Sequence, residues 1–181
     1  MAGSDVTKKA LAESIKKLMK KRPLRKISIK DIADGCGMNR QSFYYHFKDK
    51  YDLVNWIYYT EFVCKIRKKN LSLWDVLLNT CQYFYNNRVF YKNAFQEIGQ
   101  NSFSEYFIEV LHPIITSNFN EIFKSNKNHD FYATFYEDAI RASISRWLIE
   151  ETKISPEKYI ELLIKAIEVA ANQFQEEEYY I

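Results

Sequence analysis

Apolar residues recur every three or four positions along most of this chain, the period of helices that bury one face. From Val6 to about Lys21, Ala10, Leu11, Ser14, Ile15, Leu18 and Met19 form one stripe, capped by Asp5 or Thr7, while Lys8, Lys9, Lys16, Lys17, Lys20 and Lys21 take the remaining positions. Pro23 ends this helix, because the residue before a proline is pushed out of the helical region. Ser28 can cap a short second helix, with Ile29 and Ile32-Ala33 as its apolar face and Gly35-Cys36-Gly37 as its closing turn. Asn39 can cap a third. There Phe43 and Phe47 point one way, while Arg40, Gln41, Tyr44, Tyr45 and His46 cover the other faces.

The same period continues. A helix starting at Asp49 or Lys50 and reaching about Lys69 carries Leu53, Trp56, Ile57, Thr60, Val63, Cys64 and Ile66. Ser72 opens the next, through Leu77, Cys81 and Phe84. A shorter one runs from Arg88 or Val89 to Ile98, closed by Gly99. Another starts at Ser102 or Ser104, with a kink or break at Pro113, and extends to Phe123. Residues 124–128 are polar and read as a loop. Two long helices finish the chain, from about Asp130 to Glu151 and from Ser155 onward, where Pro156 at the first helical position and Glu157 after it favour a start. On the last helix Tyr159, Leu163, Ala166 and Ala170 line one side and Ile160, Ile164, Ile167, Ala171 and Phe174 a second. A helix apolar on two sides needs cover on both. One side can be its own core. The other, the side of Tyr159, Leu163, Ala166 and Ala170, points to a second subunit, and Ala139, Ala142 and Ser143 on the neighbouring helix are small enough for close approach and complete the expected dimer interface.

These patterns predict an all-α fold, and the scarcity of breakers (four Gly, three Pro) agrees. Charge changes the picture. Residues 1–50 hold 13 Lys/Arg against 5 Asp/Glu, a balance of +8, although the whole chain carries only +3. The remainder is therefore at −5. A basic head on a mildly acidic body suits a polyanion at one end. Cys36, Cys64 and Cys81 have no paired spacing and read as reduced thiols of a cytoplasmic protein. No signal peptide opens the chain, and no apolar run is long enough to span a bilayer. His112 and His129 have no companions at metal-ligand spacing, so no metal or cofactor is expected. No Gly-rich phosphate loop, nucleophile elbow or paired Cys/His arrangement points to an enzyme.

Two short helices, a glycine turn and a polar second helix read as a helix-turn-helix. Ser28, Ile32-Ala33, Gly37, Phe43-Tyr44, His46-Phe47 and Lys50 resemble the tetracycline-repressor (TetR) family of bacterial regulators over roughly residues 7–60. Residues 39–47, with Asp49-Lys50-Tyr51-Asp52-Leu53, are most similar to the branch that includes dihydroxyacetone-kinase regulators.

Helix N-terminal residues reach base edges in such motifs, which singles out Arg40, Gln41 and Ser42 behind Asn39. Tyr44, Tyr45, Lys48 and Lys50 lie where a phosphate backbone would pass, and Ser28 can offer its hydroxyl or helix amides to a phosphate. The resemblance adds a phosphate contact for His46 and a base contact for Lys30. It also implies residues 1–50 as a DNA-binding head and residues 51–181 as a body for effector binding and dimerisation, with helix 50–69 linking them. The protein expected is a homodimeric regulator on a palindromic double-stranded operator, a repressor as most members of the family are, although some activate. Its last two helices would form the dimer bundle. Among the body's many aromatics, Phe84, Phe107, Tyr136 and Trp147 are candidates to line a pocket for an unknown small effector. The alternative is a helical interaction protein answering to a protein co-regulator.

Overall fold

The structure, a computed structural model, describes residues 2–67, 71–99, 101–122, 128–150 and 153–177. The expectations at Phe123, Lys68, Lys69, Glu151 and 124–127, and those for the side chains of Phe119, Ile122, His129, Ala170, Ala171 and Phe174, fall outside what is described. Among the described residues every regular element is helical: α1 (Ala2–Met19), a 3-10 turn (Leu24–Lys26), α2 (Ile29–Asp34), α3 (Arg40–Tyr44), α4 (Lys50–Tyr58), a π-helical turn (Tyr59–Val63), α5 (Cys64–Ile66), α6 (Leu73–Asn86), α7 (Arg88–Phe95), α8 (Phe103–Ile122), α9 (His129–Ile149) and α10 (Pro156–Glu177). None of them is long and apolar enough to cross a membrane.

By packing, the chain forms two units. One takes Met1–Lys69 and Asn87–Glu109, the other Asn70–Asn86 and Val110–Ile181. The first is built on Leu11, Ile15 and Met19 of α1, Ile32 and Ala33 of α2, Phe43, and Leu53, Val54 and Ile57 of α4, all buried. Each such large side chain contributes about 1.5–3 kcal/mol on leaving water. Helices α1 and α2 pack so closely that a Cβ on Gly35 would stand 2.3 Å from Ser14 Oγ, whose hydroxyl donates to the Ile32 carbonyl at 2.7 Å. Further along, the buried Tyr58 ring meets Phe62, Tyr91, Phe103 and Phe107 with centroids 5.3–6.2 Å apart, mostly edge to face.

The second unit packs α6, α9 and α10 through Leu77, Cys81, Phe84, Tyr136, Ile140, Ile144, Trp147, Ile160 and Ile167. Trp147 stacks against Tyr85 and Tyr159 at 6.0 and 4.9 Å and donates to the Ile154 carbonyl.

Three expectations change. Helix α1 begins at Ala2, so Asp5 sits in its first turn rather than capping it, where its charge suits the helix dipole. Helix α7 stops at Phe95, short of Ile98, which is fully exposed and adds nothing to a buried stripe. Of the kink or break expected at Pro113, the break is absent: α8 runs on through this exposed position, where the proline ring meets solvent.

Candidate nucleic-acid interface

The helix-turn-helix is fixed by local chemistry. Ser28 and Asp31 form a reciprocal capping box: the Asp31 amide donates to Ser28 Oγ, and the Ser28 amide donates to Asp31 Oδ2. These bonds, with Arg22 2.9 Å away, hold the Asp31 carboxyl down to about 2. After α2 the chain turns through Gly37 at φ +70°, a left-handed conformation that glycine adopts without strain, and the Met38 amide closes the turn on the Ala33 carbonyl at 2.9 Å. Asn39 then caps α3, its Oδ1 accepting from the Ser42 amide at 2.8 Å and the Ser42 hydroxyl at 3.0 Å. Phe43 and Phe47 anchor the helix inward and leave its other faces out.

On those faces stand most of the expected residues. Arg40 and Gln41 are exposed in the first turn, and the Arg40 guanidinium donates to the Tyr44 hydroxyl at 3.0 Å. Tyr45 is 85% exposed and meets the half-buried His46 edge to face at 4.9 Å. Lys48 is exposed as well. A groove joins Asn39, Gln41, Ser42, Tyr45 and His46 to Met38 and to Thr7 of α1. Thr7, which the sequence offers only as a cap of α1, lines this groove because of how α1 packs, a placement with no local sequence signal.

Other residues behave differently. The exposed Lys30 is paired with Asp34 one turn on, at 2.5 Å. The Ser28 hydroxyl is committed to its capping box, donating to Asp31 Oδ2 at 2.8 Å. Lys50 does not stand out with Lys48. Its half-buried ammonium bonds the carbonyls of Leu24, Arg25 and Ile27, and burial pulls its pKa down.

In the body, Phe84, Tyr136 and Trp147 lie in the second unit, while Phe107 belongs to the Tyr58 cluster of the first. Of the residues on the last two helices, Ala139, Ala142 and Ala166 are exposed, and Leu163 is half-buried. Tyr159 and Ser143 are turned to each other, hydroxyl to hydroxyl at 2.6 Å, with Tyr159 buried. Both are therefore engaged within the chain, and among the described residues the apolar ones exposed on α10 are Leu162, Ala166 and Val169, beside the exposed Glu161, Lys165 and Glu168. Among the described residues, no group of His, Cys, Asp or Glu is placed to hold a metal ion.

Comparison with known proteins gives the same reading at both ends. Residues 11–57 match the bacterial regulatory proteins of the tetR family, and residues 72–169 match a transcriptional regulator C-terminal region of that family. DhaS of Lactococcus lactis subsp. lactis (strain IL1403), described as an HTH-type dhaKLM operon transcriptional activator, is 26% identical over 149 residues, covering 81% of this chain and 75% of its own. A solved structure of a DhaS dihydroxyacetone kinase operon activator shares the fold with a TM-score of 0.67 at 23% identity, covering 92% of this chain and 97% of that one. NalD, the secondary repressor of the MexAB-OprM multidrug efflux pump in Pseudomonas aeruginosa, aligns with a TM-score of 0.65 at 16% identity over 91% of this chain and 94% of its own.

Proposed function

The chain belongs to the tetR family of bacterial transcriptional regulators, and we propose that it binds a palindromic operator as a homodimer and changes its grip on DNA when a signal reaches the body. Its matched families are regulators and not enzymes. The observation that carries the DNA-contact reading is the first turn of α3. Arg40 and Gln41 are exposed behind a well-formed cap, and Tyr45 and Lys48 follow on the open side. Arginine can pair bidentately with guanine and glutamine with adenine, so this turn can read bases while Tyr44, Tyr45, His46 and Lys48 take the strand backbone. Two such helices would enter successive major grooves, with half-sites about 34–36 Å apart or a multiple of that.

The roles divide at about residue 50, with α4 leading from the DNA-binding head into the body. An effector would be held among the aromatic residues Phe84, Tyr136 and Trp147. Repression is the reading taken from the family at large. Activation is the second reading, favoured by the description of DhaS as an activator. A gel shift against DNA flanking the protein's own gene tests the central proposal: a discrete complex that outcompetes scrambled duplex is expected, and equal affinity for both refutes it. A reporter driven from the shifted fragment then gives the sign.

A further inference from the structure

The turn between α1 and α2 is held by side chains from far along the chain. Asn93, within α7, accepts from the Leu24 amide at 3.1 Å and donates to the carbonyls of Met19 and Arg22 at 2.9 and 3.2 Å. One helical turn further on, the buried Glu97 carboxylate accepts from the Arg25 amide at 3.2 Å. From the start of α4, Lys50 Nζ directs its donors at the carbonyls of Leu24, Arg25 and Ile27 at 2.8, 3.3 and 3.0 Å. Main-chain groups at the end of a helix and around a 3-10 turn lack helical partners. Here they are met by three polar side chains, between the buried Leu24 and Ile27. The Glu97 carboxylate also faces the Lys50 ammonium electrostatically and offsets part of its desolvation.

Apolar packing alone would hold this turn without fixing its direction. Asn93 bonds one amide and two carbonyls through a single planar group, which defines both the place and the orientation of the turn relative to α7. Helix α2 begins two residues after Ile27, so whatever orients the turn orients α2 and, through it, α3.

We infer that Asn93 and Glu97 are positioning residues of the DNA-reading head: by gripping the α1–α2 turn they set where α2 and α3 stand, so that side chains from α7 and just beyond it hold the reading helix in register with a duplex. This rests on the DNA-binding reading above. Base-reading side chains need placement to within about 0.5 Å, so a slackened turn degrades sequence readout before it degrades attraction to phosphate.

The test uses the full chain, a duplex enriched by the wild type from a random-sequence pool, and a scrambled duplex. Asn93→Ala and Glu97→Leu are each expected to lower the ratio of enriched to scrambled affinity by roughly tenfold, with scrambled affinity within about twofold of wild type. Glu97→Gln keeps an acceptor for the Arg25 amide and is expected to keep the ratio. A merely stabilising residue would reduce the active fraction for both duplexes alike, so an unchanged ratio in folded Asn93→Ala and Glu97→Leu overturns the inference. If Asn93→Ala does not fold, the Glu97 pair decides. Hydrogen exchange without DNA separates this from the reading it rests on. Slow exchange of the Leu24 and Arg25 amides in wild type, lost in the variants while α9 stays protected, supports the grip even if no duplex is enriched and the DNA reading falls. Equal exchange in wild type and variants overturns it.

Discussion

Arg40 and Lys48 carry the same charge but can do different work on a duplex. Arg40 lies in the first turn of α3, where a guanidinium can fork onto a guanine edge; Lys48 lies past the end of that helix, as a point charge for phosphate. Arg40→Ala is therefore expected to relax sequence preference at a cost of about 1–3 kcal/mol for the lost base contact. Lys48→Ala should weaken operator and scrambled DNA alike and flatten the salt dependence by about one unit of slope. Titrations of both duplexes at several salt concentrations separate the two, and equal loss on both DNAs for Arg40→Ala would show that it does not read bases. A second residue-level expectation concerns acid. The Asp31 carboxyl is lowered to about 2, first by the Ser28 amide, then by its hydroxyl and by Arg22. A depressed carboxylate contributes stability above its unfolded value near 3.8, and that contribution fades as pH falls from there toward about 2. Ser28→Ala should raise the Asp31 titration midpoint toward 3.8, as followed by carboxyl NMR, and cost the cap about 1 kcal/mol. A midpoint still near 2 would mean that Arg22 alone holds the charge.

Elements were legible wherever their cause is local. Ser28 and Asn39 could be read as caps because capping joins residues three apart, and Gly37 because a turn there calls for a left-handed residue. What sequence alone could not reach depends on distant partners. Lys50 reads as one more cation of a basic head until its ammonium is placed on carbonyls 23–26 residues back. Tyr159 reads as part of an outward face until Ser143 and Trp147 are set against it. Asn93 and Glu97 carry no pattern at all. Proline at 113 shows the limit of a strong local rule: of the kink or break it predicts, the break does not occur. Its ring removes a helical donor, yet α8 continues to Ile122. Because the site is exposed and helical, Pro113→Ala is expected to stabilise the protein by about 1–3 kcal/mol in urea unfolding at fixed protein concentration. A loss of stability would instead mark the proline as part of a bend that α8 needs.

At the scale of the whole molecule the open question is what covers the outer side of α9 and α10. Helix α9 leaves Phe131 and Phe135 67% and 57% exposed, stacked on each other at 6.3 Å, with exposed Ala139 and Ala142 at the next helical repeats. Helix α10 leaves Leu162, Ala166 and Val169 exposed at the same kind of spacing. Contiguous apolar stripes of this sort are uncommon on monomers, and two helices with small residues between larger ones can meet a second copy by close packing. A dimer would also bring two basic heads of +8 each to one operator, which suits a palindrome better than a single head does. Ala166→Glu and Ala142→Glu each place a carboxylate in the middle of this face, where pairing would have to desolvate it. Both positions are exposed within one chain, so neither change should disturb the core. Light scattering at micromolar concentration is expected to give a dimer for wild type and folded monomers for both variants. The monomers should hold operator DNA far more weakly, because each would engage one half-site at a time. A wild-type monomer, or variants that remain dimeric, would place the subunit interface on another surface.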